Sequence, residues 1–198
     1  MFTAAALLKF IGSPTDVLNN PTKRSPYAAV PTRQGERMPT SNYAFIDSQN
    51  LNLAIKDQGW RLDYKRFCIY LRHKYKITKS FLFIGYIPTQ QALYAALQKY
   101  GYILVFKPTL ELRDGQVKGN VDAELVLHAM IEWNNYNKAV IVTGDGDFHC
   151  LIEYLKHKGK LERLLIPNRY KYSALLIKFG PESTYMNDLK GKLAYEGQ

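Results

Sequence analysis

The stretch Val140-Ile141-Val142-Thr143-Gly144-Asp145-Gly146-Asp147 joins a short apolar run to two carboxylates that are separated by glycine. An apolar run of this length next to glycine predicts a buried strand, and open α/β sheets bind their ligands at the carboxyl ends of such strands. Phe45-Ile46-Asp47-Ser48-Gln49-Asn50 repeats the arrangement, and Gly119-Asn120-Val121-Asp122 lies between the two in sequence. Carboxylates gathered in one crevice repel each other unless a cation neutralises them. The three segments therefore indicate a hard divalent metal and favour metal-assisted phosphoester chemistry.

The remaining sequence alternates between strand-like and helix-like patterns. The strands are predicted at Tyr43–Asp47, Ser80–Ile87, Tyr102–Lys107, Lys138–Thr143 and Leu161–Pro167, and the helices at Leu62–Lys76, Pro88–Tyr100, Asn120–Asn134, Phe148–Lys158 and Ser173–Phe179. Pro108–Lys118 is predicted to be a polar loop. This alternation is typical of an α/β fold, here a three-layer α/β/α sandwich with a mainly parallel central sheet.

The chain is long enough for one main domain, with 198 residues of which 46% are hydrophobic. Residues 12–41 hold five of the nine prolines between polar and charged residues, without a sustained period. We therefore expect a flexible arm or linker over 1–41, the main domain over 42–187 and a C-terminal tail over 188–198.

The charge balance indicates a polyanionic partner. With 27 Lys and Arg against 17 Asp and Glu, the net charge is +10, which is expected of a protein that binds nucleic acid, although a solvated basic surface gives the same count. Arg169 and Lys171 alternate with Tyr170 and Tyr172, a pattern that suits the stacking of unpaired bases or a half-buried strand edge.

The cysteines and the hydropathy of the sequence indicate the cellular compartment that we expect for the protein. Cys68 and Cys150 both lie in helical apolar patterns without metal-ligand spacing, and we interpret them as buried thiols of a cytoplasmic protein. No window approaches about 18 uninterrupted apolar residues, so an integral membrane protein is not expected.

At these residues the chain resembles a known family. The ordered segments Asn42–Leu51, Lys118–Asp122 and Thr143–Phe148 are similar to those of the NYN domain, a branch of the PIN-like nucleases. The resemblance covers about 42–185 and implies a PIN-like fold and a metal-dependent endoribonuclease that hydrolyses RNA, single-stranded or structured, with Mg²⁺ or Mn²⁺.

The resemblance also implies the residues of the site. Its metal ligands correspond to Asp47, Asp122, Asp145 and Asp147, and Asn50 completes the catalytic set. Many members carry a further Asp six residues after the position of Asp122, where this chain has His128. That histidine is either a ligand, a proton carrier or a helix residue packed against its neighbours.

Each acidic position also has a structural interpretation. Asp47 and Asp147 could each cap a helix, and the helix dipole favours a carboxylate at Asp122. Ser48 and Thr143 are candidates for hydrogen bonds to phosphate or to the carboxylates, and Lys118, Arg169 and Lys171 for contacts with the RNA backbone.

Four functions compete on this sequence. A catalytically weak or inactive PIN-like RNA-binding module is the main alternative to the nuclease, supported by His128. A sugar-nucleotide transferase would leave Asp47 and Asp122 unused, and an aspartyl phosphatase would need an Asp at the position of Gln49. The sequence is also compatible with a homo-oligomer.

Overall fold

The structure is a computed structural model that describes residues 41–107, 110–111, 117–118 and 122–196, with side chains described for 41–107 and 123–196. The predicted arm lies outside these residues except for Ser41, as does most of the predicted loop over 108–118.

The centre of the domain is a sheet of six parallel strands. They are β1 (Asn42–Asp47), β2 (Ile77–Gly85), β3 (Tyr102–Lys107), β6 (Ala139–Val142), β7 (Leu161–Ile166) and β8 (Ser183–Tyr185), in the order β3-β2-β1-β6-β7-β8. Every neighbouring pair in this sheet is parallel. Two short strands, β4 (Leu110–Glu111) and β5 (Val117–Lys118), form a separate antiparallel pair.

Helices cover both faces of the sheet. The α-helices are α1 (Ser48–Lys56), α2 (Tyr64–Tyr75), α3 (Gln91–Tyr100), α4 (Asp122–Ile131), α5 (His149–His157) and α6 (Lys190–Leu193). The 3₁₀ segments are Pro88–Gln90, Gly146–Phe148, Ala174–Glu182 and Met186–Leu189. The predicted three-layer α/β/α architecture is confirmed.

Side-chain alternation along the strands divides the core between the two faces. On β1, Ala44 and Ile46 belong to the core cluster that includes buried residues of α1, α2 and α3, whereas Tyr43 and Phe45 belong to the cluster with α4 and α5. All four residues are buried, because a parallel sheet with helices on both sides leaves no strand face in water. Strand β1 is therefore apolar from Tyr43 to Ile46 and first carries a charge at the carboxyl edge, where Asp47 ends it.

Several local predictions were wrong. Helix α1 was not predicted, because it is short and begins with three polar residues, and only Ser48, Leu51 and Ile55 of its nine residues are buried. Strand β8 was missed because it is a three-residue segment that follows Pro181. The predicted loop over 108–118 contains the paired strands β4 and β5.

The two cysteines differ in their surroundings. Both are free, and Cys68 is buried as predicted, but Cys150 is exposed because it occupies the solvent side of α5. Beyond the predicted domain boundary at 187, Leu189 and Leu193 are buried in the core on the α1 and α2 side. No helix within the described residues is long and apolar enough to cross a membrane.

Candidate active site

The candidate site lies where the strand order reverses. From β1 the chain proceeds to β2 and β3 on one side of the sheet, and from β6 to β7 and β8 on the other. The crevice between β1 and β6 is thus the topological switch point, which is the usual ligand site of an open α/β sheet. Asp47 ends β1, and Thr143 follows directly after β6.

Asp47 is a buried carboxylate that contacts α1 and the residue after β6. The residue is only 4% exposed. One oxygen accepts the Asn50 backbone N–H at 3.1 Å, which makes Asp47 the N-cap of α1. The second oxygen lies 3.4 Å from the Thr143 hydroxyl. The capping interpretation of Asp47 therefore holds, and the same carboxylate also borders the switch point.

Thr143 connects Asp47 to Asp145. The threonine is fully buried, and its hydroxyl oxygen accepts the Asp145 backbone N–H at 3.1 Å. A hydroxyl has a single proton to donate, and the nearby Asp47 carboxylate is its acceptor. This buried side chain thus fixes the backbone of one acidic residue relative to the carboxylate of the other.

Asn50 makes a second link between the same two segments. Its side-chain oxygen accepts the Gly144 N–H at 2.8 Å, and the Gly144 carbonyl accepts the Ser173 N–H at 2.9 Å. The amide therefore has a structural partner in the loop after β6.

The Asp145-Gly146-Asp147 turn packs tightly against Ser173. Asp145 is half-buried, and its carboxylate accepts the Asp147 backbone N–H at 3.0 Å, so Asp145 caps the 3₁₀ segment Gly146–Phe148. The alternative role of Asp147 as a helix cap is not found, because Phe148 is the N-cap of α5 and the exposed Asp147 lies inside the 3₁₀ segment. A Cβ at Gly146 would lie 2.2 Å from the Ser173 hydroxyl oxygen.

Asp122 is placed by its backbone alone, since its side chain lies outside the described residues. It is the first described residue of α4, within the helix that the sequence predicts from Asn120. The chain leaving α4 reaches the opposite edge of the sheet, where the Asn137 N–H donates to the Ser41 carbonyl at 2.8 Å, just before β1 begins. Helix α4 also packs against β1 and the 3₁₀ segment after Asp145. It therefore begins at the edge of the sheet that carries Asp47 and Asp145.

The donor chemistry fits a hard cation. Carboxylate and amide oxygens suit Mg²⁺ and Mn²⁺, and Asp47, Asn50, Asp145 and Asp147 supply only such groups. Among the side chains that the structure describes, no three His, Cys, Asp or Glu residues lie close enough to hold a metal ion. That set does not include Asp122.

His128 is a packed helix residue. Its Nδ1 lies 3.0 Å from the Glu124 carbonyl oxygen, and its ring centroid is 5.5 Å from that of Phe83. Glu124 itself was missed in the sequence, although it lies two residues after Asp122. One of its carboxylate oxygens is buried and has no hydrogen-bond partner among the described residues.

The candidate substrate contacts have different surroundings. Arg169 forms an ion pair with Asp188, and Lys171 with Asp57 at 2.7 Å. The buried Ser48 lies next to the hydroxyl of Tyr64, whose pKa is raised by burial and partly lowered by the hydrogen bond with Ser48. The side chain of Lys118 lies outside the described residues.

Comparison with known proteins agrees with this architecture. The chain is 28% identical over 124 residues to the Low amplitude and bright protein LabA of Synechococcus elongatus, an alignment that covers 58% of this chain and 67% of LabA. A crystal structure of a protein of unknown function from Vibrio parahaemolyticus superimposes with a TM-score of 0.65 at 20% identity, covering 81% of this chain and 99% of that one. This second likeness shows a shared fold.

The family model provides the assignment. The model of the NYN domain matches residues 43–179, which include the six-stranded sheet except Asn42 and β8, and every candidate acidic residue. The chain belongs to the NYN domain family.

Proposed function

We propose that the protein is a metal-dependent endoribonuclease that hydrolyses RNA phosphodiester bonds. The observation that carries the proposal is the link from Asp47 through Thr143 to Asp145, across the switch point of the sheet. A buried hydroxyl that connects two acidic segments 96 residues apart in sequence holds them at one edge. Membership of a PIN-like nuclease family supports the same chemistry.

The roles of the residues follow from these contacts. A Mg²⁺ or Mn²⁺ ion held by Asp47, Asp122 and Asp145, with the exposed Asp147 as a direct or water-mediated ligand, would lower the pKa of bound water and offset charge on the leaving oxygen. Thr143 orients the Asp47 carboxylate by donating a hydrogen bond to it. No side-chain nucleophile is needed.

RNA is the proposed partner. The net charge of +10 attracts a polyanion, and Lys118 immediately precedes the segment that leads to Asp122. Arg169 and Lys171 already have carboxylate partners, so binding phosphate through them would compete with those ion pairs. A reducing cytoplasm would keep the free thiols of Cys68 and Cys150 unoxidised.

His128 favours a second candidate function, a catalytically weak or inactive RNA-binding module. The histidine occupies a position where many family members carry Asp, and its ring packs against Phe83. In this alternative the fold and the basic surface bind RNA, and turnover is slow or absent.

Cleavage assays separate the two functions. Purified protein is incubated with labelled RNA in Mn²⁺, in Mg²⁺ and in EDTA, and cleavage is expected only with a metal ion. Asp145→Asn should abolish cleavage and keep RNA affinity, because the amide has nearly the same shape but no charge. Glu153→Gln is the matched control, since Glu153 pairs with Lys178 on the solvent side of α5. Equal cleavage by the parent and Asp145→Asn would reject the metal mechanism.

A further inference from the structure

A groove of about 1120 Å³ begins beside the candidate active site. It runs between α1 and the connection from β2 to α3, and Ser48 and Gln49 line the end next to Asp47. The wall on the opposite side includes Tyr86 and Ile87 from that connection. A polymeric ligand bound at Asp47 could therefore extend into the groove.

The charge of the groove suits a polyanion. Lys56, Arg61 and Lys107 line it, and no Asp or Glu occurs among its described lining residues. Lys56 and Arg61 form no ion pair with another described residue. The Arg61 guanidinium carbon lies 5.2 Å from the centroid of the Tyr195 ring. Lys107 is only 5% exposed, at the end of the edge strand β3.

An exposed aromatic ring lies on one wall of the groove. Tyr86 is 40% exposed. Its ring stacks on Tyr94 with a centroid distance of 5.9 Å and an interplanar angle of 23°, and it meets Phe106 edge-on at 5.5 Å. Its hydroxyl accepts a hydrogen bond from the Gln91 side chain at 3.0 Å. These contacts orient the ring before any ligand arrives, which reduces the entropy lost on stacking.

Tyr94 also fixes the backbone of this wall. The buried Tyr94 hydroxyl accepts the Ile87 N–H at 2.7 Å and lies 3.1 Å from the Gly85 carbonyl oxygen, to which it can donate. The connection from β2 to α3 is thus tied to α3 on both sides of Tyr86. The groove is preformed on this side.

A smaller pocket of about 800 Å³ is a weaker candidate for RNA. Its lining includes Asp57 together with Lys171, and these two form an ion pair at 2.7 Å. Tyr170 lines it and is 84% exposed, but its ring makes no aromatic contact with another described residue. Lys190 also lines this pocket and forms no ion pair with another described residue. The Asp57 carboxylate would repel a phosphate there, and no ring of a neighbouring described residue orients the exposed Tyr170.

We infer that the groove binds a single-stranded segment of RNA adjacent to the scissile phosphate. An unpaired base stacks on Tyr86, and the backbone phosphates lie near Lys56 and Arg61. A base within a duplex has both faces covered by its neighbours, so the exposed Tyr86 ring on the wall selects unpaired RNA. The location beside the scissile phosphate rests on the proposed nuclease function.

RNA affinity measured in EDTA tests this inference without cleavage. Fluorescence anisotropy compares a labelled single-stranded oligonucleotide with its duplex of equal length. The parent should bind the single strand more tightly, and Tyr86→Ala should lower that affinity about tenfold, or about 1.4 kcal/mol, within the range for stacking of one base on an aromatic ring. Affinity for the duplex should change little.

Three further variants test whether the loss of affinity comes from stacking on the Tyr86 ring. Tyr86→Phe keeps the ring and should bind like the parent. Tyr86→Leu keeps an apolar contact with Tyr94 and Phe106 but offers no stacking surface, so it should bind as weakly as Tyr86→Ala even if the alanine variant unfolds. Tyr170→Ala, at the exposed tyrosine of the smaller pocket, should bind like the parent.

Each outcome separates groove binding from catalysis. Three outcomes would overturn the groove assignment. They are an unchanged single-strand affinity in Tyr86→Leu, a loss of that affinity in Tyr170→Ala instead, and a preference of the parent for the duplex. A protein that never cleaves RNA with Mn²⁺ but loses single-strand affinity in Tyr86→Ala would contradict only the nuclease function.

Discussion

The Thr143 hydroxyl lies 3.4 Å from the Asp47 carboxylate and accepts the Asp145 backbone N–H at 3.1 Å. The strands that carry these residues, β1 and β6, are hydrogen-bonded neighbours. One fully buried side chain therefore couples the two acidic segments of the site. Changes at Thr143 should affect catalysis without altering any residue proposed to bind the metal.

Thr143→Val is expected to reduce metal-dependent cleavage about tenfold to 100-fold, the range for loss of a group that orients a metal ligand. Valine has a similar shape but leaves the Asp145 N–H without its acceptor, which should also lower the free energy of unfolding by about 1–3 kcal/mol. Cleavage rates and urea titrations measure the two effects. Thr143→Ser keeps the hydroxyl and should retain most activity. Parental activity in the valine variant would show that the hydroxyl does not position the site.

Asn50→Ala is expected to destabilise the loop after β6. Alanine removes the acceptor of the Gly144 N–H, a 2.8 Å hydrogen bond, so the free energy of unfolding should fall by about 1–3 kcal/mol. Asn50→Asp keeps an acceptor and should retain most of that stability in Mn²⁺, where the added charge is offset. Chemical denaturation checks both variants, and equal stability of the alanine variant and the parent would contradict this role.

Gly146→Ala is expected to displace the turn that carries Asp145 and Asp147. The new Cβ would lie 2.2 Å from the Ser173 hydroxyl oxygen and 2.8 Å from its Cβ, and such overpacking costs about 1–3 kcal/mol. Thermal unfolding and cleavage should both be impaired.

Ser173→Gly provides the matching rescue. Glycine removes both clashing atoms, and its own cost at a helix cap is only a few tenths of a kcal/mol. The double variant should therefore be more stable than Gly146→Ala alone. If it is not, the clash with Ser173 is not the cause of the defect.

Apolar runs in the sequence predict the strands of this architecture. A single sequence does not predict contacts between residues that are far apart along the chain. The apolar runs 43–46 and 140–142 identify strands because helices bury both of their faces. Helix α1 is nine residues long with two large buried side chains, Leu51 and Ile55, so its helical period is weak. The cap at Asp47 was the available signal for it.

The candidate site residues stand out in the sequence by their type, but their contacts cannot be predicted from it. Asp47 and Asp145 stand out because each follows an apolar run. The hydrogen bonds from Thr143 to Asp47 and from Gly144 to Asn50 cross 96 and 94 residues of sequence. They depend on β1 pairing with β6, which a single sequence does not specify. The ion pairs that occupy Arg169 and Lys171 are unpredictable for the same reason.

His128→Asp is expected to make stability more dependent on metal. The carboxylate replaces a ring packed against Phe83, so the variant should melt at a lower temperature than the parent in EDTA. If the position borders the metal site, Mn²⁺ should raise its melting temperature more than that of the parent, since a ligand stabilises the state that binds it. His128→Asn is the uncharged control. Identical Mn²⁺ shifts in all three proteins would place His128 outside the metal site.

The salt dependence of RNA affinity should identify which cations contact phosphate. For single-stranded RNA the logarithm of the binding constant falls with the logarithm of salt concentration by about 0.7 for each phosphate contacted. Removing two groove cations in Lys56→Gln/Arg61→Gln should therefore reduce the slope by about 1.4, the sum of two such contacts.

The matched control removes two cations that already have carboxylate partners. In Lys138→Gln/Lys178→Gln the lost charges pair with Glu162 at 3.5 Å and with Glu153 at 3.0 Å. The net charge of this double variant equals that of the groove variant, so long-range attraction falls equally in both. A smaller slope in the groove variant alone assigns the phosphate contacts to the groove. Equal slopes in the two variants would mean that RNA responds only to the overall charge of the protein.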